Sequence, residues 1–427
     1  MPPLTPAPST VGGGGAAPFL EEAAAMTLPQ DSDIVILGGA RTPFGNLSGA
    51  LSGLTATDLA THAAQAALAR SGVAASEIDE VVFGNVIQSS ADAIYLARHA
   101  ALRAGVPVSV GALTLNRLCG SGLQAILSAA QSLTLGTATY ALAGGSENMS
   151  QAPHVVRGAR KGFHLGQNVE FEDSLWSALT DSYCETPMAN TAENLAAKYG
   201  ITRQACDEFA LASQEKALAS QQDGYFAEEI APVTIPGRRG TEVVVDKDEG
   251  PRAGLSLEKL AKLPARFAKD GVVTPGNASG ITDGAAAVVL TTVKQAKADG
   301  RAWIGRLVSG SVVGVEPNIM GIGPAFAIPK ALARAGIAES DLATIEINEA
   351  FAPQVLACLK ELGLNGSSHA RLNPHGGAIS LGHPLGASGA RLALTALHDL
   401  RVRGGGYAVA SACIGGGQGI AAIFAVD

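Results

Sequence analysis

Cys119 is one of only five cysteines in 427 residues, and it stands in the stretch NRLCGSG at positions 116–122. An apolar-periodic run of Leu123, Ile126, Leu127 and Ala130 follows, so the thiol precedes a helix by a few residues. Helix starts favour negative charge and can lower a thiol's pKa below its free value of about 8.5. Gly120 and Gly122 would let a substrate carbonyl approach the backbone closely. On these residues alone, a nucleophile and a small apolar residue in a tight strand-to-helix turn fit equally well.

Three other stretches carry residue types suited to the same chemistry. In NPHGGAISLGHPLGASG, residues 373–389, His383 lies between Gly382 and Pro384, three residues before Gly386. A Cys–His pair supplies an activated nucleophile. His375 is the competing candidate and lies farther from that turn. Cys413 heads CIGGGQG: it is either a buried apolar cysteine or a second thiol acting as acid or base, with the amides of Gly415, Gly416 and Gly417 offered to an oxyanion. Asn348 could orient a water or donate to an oxyanion, and Glu349 is expected to cap the helix that follows it. GGGQG lacks the strand-to-helix setting and later acidic residue of a dinucleotide fingerprint, and the chain has no Walker sequence and no H-E-x-x-H.

The elements that must position these residues come in two copies. Residues 67–81 read ALARSGVAASEIDEV and residues 331–345 read ALARAGIAESDLATI, with seven of fifteen positions identical. Both end a helix at a glycine and lead into a strand. Gly122 to Tyr140 and Gly389 to Tyr407 each span eighteen residues across a helix and into a strand. The chain therefore reads as a duplication of mixed α/β halves with buried sheets, the helices from Gly122 and Gly389 being central. The second half has Gly386 where the first has Cys119, so the turn itself does not require a thiol. If the halves pack about a pseudo-twofold axis, the two turns meet and His383 faces Cys119.

The strand ending the second half, residues 420–426, has its match at 285–292, 145 residues after Tyr140 where the second half takes 13 from Tyr407. An insertion thus interrupts the first half, with helices expected over 191–199 and 202–220, and it reads as a lid that carries substrate binding. The expected organisation is a flexible extension at 1–32, a first half at 33–149 and 280–302, an inserted loop domain at 150–279, and a second half at 303–427.

Bulk properties narrow the function. Apolar residues make up 47%, charged residues 16%, and there are 52 glycines, as in a compact glycine-rich enzyme. A net charge of -8 with no basic stripe argues against nucleic-acid binding. Scattered cysteines without a C-x-x-C pair argue for free thiols. The first basic residue is Arg41, so neither a secretory nor a mitochondrial leader is expected and the cytoplasm is the expected location. Residues 404–426 hold no charge, but Gly415, Gly416, Gly417 and Gly419 interrupt them, which fits two buried strands and a glycine turn better than a membrane span.

Together NRLCGSG, GNASGITDGAAA, NEAFA, GGAISLGHPLGASG and CIGGGQG resemble the thiolase family, the acetyl-CoA C-acyltransferases, in the same order along the chain. The resemblance implies α/β halves layered α-β-α-β-α with an inserted lid, and an enzyme that makes or cleaves 3-ketoacyl-CoA, acetoacetyl-CoA or longer. It implies that Cys119 is the acylated nucleophile, His383 its base, and Cys413 the group that shuttles a proton at the enolate carbon. One oxyanion hole would lie at His383 with a water held by Asn348, the other at the amides of Cys119 and Gly415. Ser279, Arg252 and Met188 would line the CoA channel, with Phe351 and Met320 also on the substrate side. No metal or redox cofactor is implied, CoA arriving as substrate, and the assembly implied is a homodimer or homotetramer. Short-chain biosynthetic members carry His-Met-Gly before Thr-Ala-Glu-Asn; here Pro187, Met188 and Ala189 precede Asn190 and the TAEN at 191–194, which gives weight to a broader 3-ketoacyl-CoA enzyme. The alternatives are a decarboxylating β-ketoacyl synthase-like enzyme, disfavoured by Asn348 with Cys413, and a non-catalytic acyl-CoA-binding relative, disfavoured by Cys119, His383 and Cys413 together. A Cys–His–Asn hydrolase would instead release free acid.

Overall fold

The computed structural model describes residues 29–364 and 370–427. Most of the extension expected at 1–32 lies outside the described residues, but Asp31 already belongs to the fold, its carbonyl accepting from the Lys294 amide at 3.0 Å.

The strands are β1 (Ile34–Arg41), β2 (Glu80–Gly84), β3 (Leu113–Leu115), β4 (Ala141–Asn148), β5 (Thr282–Thr292), β6 (Gly305–Gly314), β7 (Leu342–Ile347), β8 (Gly406–Ile414) and β9 (Gln418–Val426). They form one sheet in the order β7-β8-β9-β6-β1-β5-β4-β2-β3. The duplication is plain in the pairing. β2 runs parallel to β4 as β7 does to β8, while β4–β5–β1 and β8–β9–β6 are both antiparallel. A parallel bridge between Ile345 and Leu372 stands where β3 pairs β2 in the first half. The halves join through antiparallel pairing of β1 with β6, Ile34 opposite Leu307. The charge-free stretch 404–426 is the β8–β9 hairpin, and among the described residues no helix is long and apolar enough to cross a membrane.

The main helices are α1 (Ala56–Ser71), α2 (Leu96–Arg103), α3 (Ser121–Thr134), α4 (Met188–Tyr199), α5 (Arg203–Gln222), α6 (Gly323–Ala335), α7 (Ala352–Glu361) and α8 (Leu385–Arg403). The repeated ALAR segments close α1 and α6, which end at left-handed Gly72 (φ 68°) and Gly336 (φ 69°). That conformation costs an L side chain, and glycine adopts it freely.

Strand alternation sorts the side chains into layers, because successive residues point to opposite faces. Val35, Leu37, Ala285 and Val289 face α1 and α2, whereas Ile34, Ile36, Ala286 and Val288 face a middle layer containing Leu123 and Ile126 of α3 with Leu392 and Leu394 of α8. From the second half, Ala422 and Phe424 enter the same middle layer, and Ala421 and Ile423 face α6 and α7. The order is outer helices, the first half's strands, the central helix pair, the second half's strands, outer helices.

Glycine lets the central pair meet. A Cβ on Gly122 would lie 2.7 Å from the Ala390 nitrogen, and one on Gly389 would lie 2.3 Å from the Leu123 nitrogen. The helices thus cross backbone to backbone, each start held beside the other. The chain between β4 and β5 packs on the second half through α4 and α5, where Leu195 and Cys206 meet Ala352 and Cys358 of α7, and reaches the first half through Glu229 and Asp248, which bind Arg41. α5 begins after Thr202, whose hydroxyl accepts from the Ala205 amide, and Asp223 closes it. α4 begins a turn before the expected start at 191, because Pro187 leads into it, and this brings Met188 into the first turn.

Candidate active site

Cys119 sits in a helical turn, Leu118–Gly120, that leads straight into α3. Leu118 has φ +46°, a left-handed conformation that costs a branched L residue about 1–2 kcal/mol. The turn is held by Ser121, whose hydroxyl accepts from the Arg117 amide at 2.8 Å and donates to the Leu118 carbonyl at 2.7 Å. The glycines beside the thiol do not serve substrate approach, as their openness suggests. A Cβ on Gly120 would lie 2.6 Å from Ile414 Cδ1, so the space is filled by the second half's core, and Gly122 gives its space to α8.

His383 is carried by the turn before α8 and is 5% exposed. Gly382, at φ +106°, would place a Cβ 2.3 Å from Thr282 Cγ2, and the His383 amide donates to the Gly280 carbonyl at 3.2 Å. The ring has Nδ1 2.6 Å from Ser388 Oγ, and that hydroxyl donates to the Pro384 carbonyl at 3.0 Å. Ser388 therefore accepts the Nδ1 proton, and Nε2 keeps its lone pair on the side of the Asn348 amide nitrogen, 3.2 Å away. Burial, with the Arg391 charge behind it, pulls the imidazole down to about 3, so it rests neutral.

Leu385, just past His383, packs with Cys119, Ile87 and Met149, which brings the two turns together as pseudo-symmetric packing requires. Burial pushes the Cys119 thiol up to about 11, the amides of Gly415 and Cys119 itself pull it down, and the Glu147 charge raises it further. The lowering expected from the helix start is outweighed by burial. Cys413, at the end of β8, is fully buried; burial first and then proximity to Cys119 hold its thiol well above the ordinary range. Both thiols rest protonated beside a neutral imidazole.

Asn348 ends the β7 run, its amide donating to the Ser411 carbonyl at 2.8 Å, and its buried Oδ1 has no hydrogen-bond partner among the described residues. Glu349 does not cap the following helix. α7 starts without a side-chain cap, the Ala352 amide donating instead to the Asn277 carbonyl. The Glu349 carboxylate turns the other way, to Ser213 of α5 at 2.7 Å, Asn373 at 2.8 Å and the Ile379 amide at 3.2 Å. His375 is not at the site: it bridges Ser220 at 2.8 Å and Asp399 at 2.9 Å and stacks on Tyr225.

A cavity of about 400 Å³ opens onto His383 and is lined by Met188, Ser279 and Phe351. Its remaining wall is mostly apolar: Met149, Leu175, Trp176, Leu179, Phe267 and Leu385, with Arg266 beside them. Met320 lies beneath, packed on Cys413 and Ala350. Arg252 is exposed and lines a neighbouring hollow with Ser380 and Gly382, not this cavity. Arg266, Phe267 and Trp176 went unmarked in the sequence because they stand in no glycine-rich or repeated stretch.

The thiolase N-terminal domain matches residues 34–294 and the thiolase C-terminal domain residues 301–426. The chain belongs to the thiolase family. It is an acyltransferase that moves acyl groups between CoA thioesters. It is 50% identical to the mitochondrial 3-ketoacyl-CoA thiolase of Homo sapiens over 390 residues, 91% of this chain and 97% of that one. It is 47% identical to the acetyl-CoA acetyltransferase of Pseudomonas aeruginosa over 399 residues, 92% of this chain and 100% of the other. The crystal structure of the human mitochondrial 3-ketoacyl-CoA thiolase in complex with CoA superposes with a TM-score of 0.89 at 48% identity, covering 92% of this chain and 98% of that one.

Proposed function

We propose that this thiolase acts on 3-ketoacyl-CoA thioesters longer than acetoacetyl-CoA as well as on acetoacetyl-CoA, through an acyl group carried on Cys119. The observation that carries the reading is the apolar cavity of about 400 Å³ that ends at His383, next to the turn bearing Cys119. A wall of Leu175, Trp176, Leu179 and Phe267 suits an alkyl chain, and each buried methylene contributes about 0.8 kcal/mol. The Pro-Met-Ala stretch at 187–189 and the 50% identity to a relative named 3-ketoacyl-CoA thiolase support the same breadth.

In cleavage, His383 Nε2 takes the Cys119 proton as the sulfur attacks the C3 carbonyl of the substrate. The C2–C3 bond breaks, its electron pair passes to the departing acetyl-CoA as an enolate, and Cys413 protonates C2. CoA then gives its thiol proton to the Cys413 thiolate and attacks the acyl-enzyme. Cys119 leaves as thiolate and recovers its proton from His383. The resting protonation fits this order, because a neutral imidazole accepts and a protonated buried thiol donates. The amides of Cys119 and Gly415 stand at the sulfur, where the tetrahedral oxyanion forms, and Asn348 Oδ1 is free to hold a water beside His383. CoA enters as substrate, with Ser279 and Met188 on its path.

A chain-length series of 3-ketoacyl-CoA substrates assayed with free CoA tests the reading. Cleavage should extend from acetoacetyl-CoA to longer chains. Activity confined to acetoacetyl-CoA would sink the proposed breadth.

A further inference from the structure

The steps above make no use of Glu147, a carboxylate with 0% exposure at the end of β4. Four N–H donors converge on it. Asn85 Nδ2 at 3.1 Å, the Val86 amide at 3.1 Å and the Ile87 amide at 2.9 Å come from the segment after β2 in the first half. The fourth, the Gly386 amide at 2.9 Å, comes from the first turn of α8 in the second half, three residues past His383. Ile87 and Val86 pack with Cys119, so the amides on one side belong to the wall around the nucleophile. The amide on the other side belongs to the helix start that carries the base. No slack exists between them: a Cβ on Gly145 would lie 1.8 Å from the Gly386 carbonyl oxygen, and one on Gly386 would lie 2.5 Å from the Ser146 carbonyl oxygen.

We infer that Glu147 is a positioning residue of the acyl-transfer reaction. Its carboxylate holds the Gly386 amide and the amides of Val86 and Ile87 at once, and so fixes the His383 turn against the Cys119 wall across the boundary between the halves. The inference rests on the Cys119–His383 reading above. Burial raises Glu147 to about 7, the Ile87, Val86 and Gly386 amides pull it down, and Asp283 on β5 raises it further. The charge also acts on the nucleophile, since it helps hold the Cys119 thiol up.

The test uses the full chain with Glu147→Gln. In Glu147→Gln the one remaining carbonyl oxygen can accept from only one pair of donors, Asn85 with Ile87 or Val86 with Gly386. The amide nitrogen faces the other pair without accepting from it, so the clamp across the halves is broken while shape is kept. Expected are a roughly tenfold to hundredfold fall in kcat for 3-ketoacyl-CoA cleavage, a KM close to wild type, and a shift of Cys119 alkylation by iodoacetamide to lower pH. Glu147→Asp keeps the charge but retracts it, so its alkylation profile should stay in place while kcat falls. If Glu147→Gln does not fold, that variant decides, and wild-type kcat in it overturns the inference. Wild-type kcat in Glu147→Gln, or lost stability with an unmoved alkylation profile, overturns it as well. A wild-type chain that cleaves no 3-ketoacyl-CoA would overturn the acyl-transfer reading and this inference with it.

Discussion

In the proposed mechanism the Cys119 thiol stays protonated until substrate arrives. Its neighbour Leu118 is strained at φ +46°, and the thiol beyond it is pushed up to about 11 by burial. His383, drawn down to about 3, does not pre-form an ion pair with it. A thiol whose pKa is raised ionises only at higher pH, so iodoacetamide alkylation of Cys119 in the free enzyme should still be climbing above pH 9. A rate that levels off near neutrality would mean that a thiolate–imidazolium pair exists before substrate binds. Cys119, His383 and Cys413 stand out in the sequence as candidates because rare residue types stand in glycine-rich turns of a repeat. Glu147 was not, since nothing in SENMS separates an anchor for four amides from a carboxylate at a solvated strand end. Glu349 misled for the same reason. Its partners Ser213 and Asn373 lie far away in sequence, and only the fold brings them to it.

At the scale of elements, the crossing of α3 and α8 decides where the two functional turns lie. Their starts can approach only because Gly122 and Gly389 present bare backbone to each other, which was visible as the matched spacing to Tyr140 and Tyr407. Gly122→Ala would put a methyl group 2.7 Å from the Ala390 nitrogen, and a backbone atom cannot rotate away. A loss of about 1–3 kcal/mol is expected, read from denaturant midpoints, with slower cleavage as the turns separate. Unchanged stability would mean that the crossing is looser than the backbone contacts require. The joining of the halves through β1 and β6 left no trace in the sequence. Hydrogen bonds between backbones carry no side-chain signature, and either strand reads simply as buried.

On the scale of the whole molecule, the first half supplies Cys119, the second half His383, Asn348 and Cys413, and the chain between β4 and β5 supplies the wall of Leu175, Trp176 and Phe267. The core layer around α3 and α8 draws residues from both halves, so the helix starts that follow Cys119 and His383 belong to a single packed unit. The central claim is a division of labour between the two thiols so assembled. Its most direct test is to incubate wild-type chain and the Cys413→Ala variant with labelled acetyl-CoA, and to locate the label by peptide mass spectrometry. Both should carry acetyl on Cys119, and only the wild type should go on to form acetoacetyl-CoA. Label on Cys413, or acetoacetyl-CoA formed at the wild-type rate by Cys119→Ala, would contradict the account.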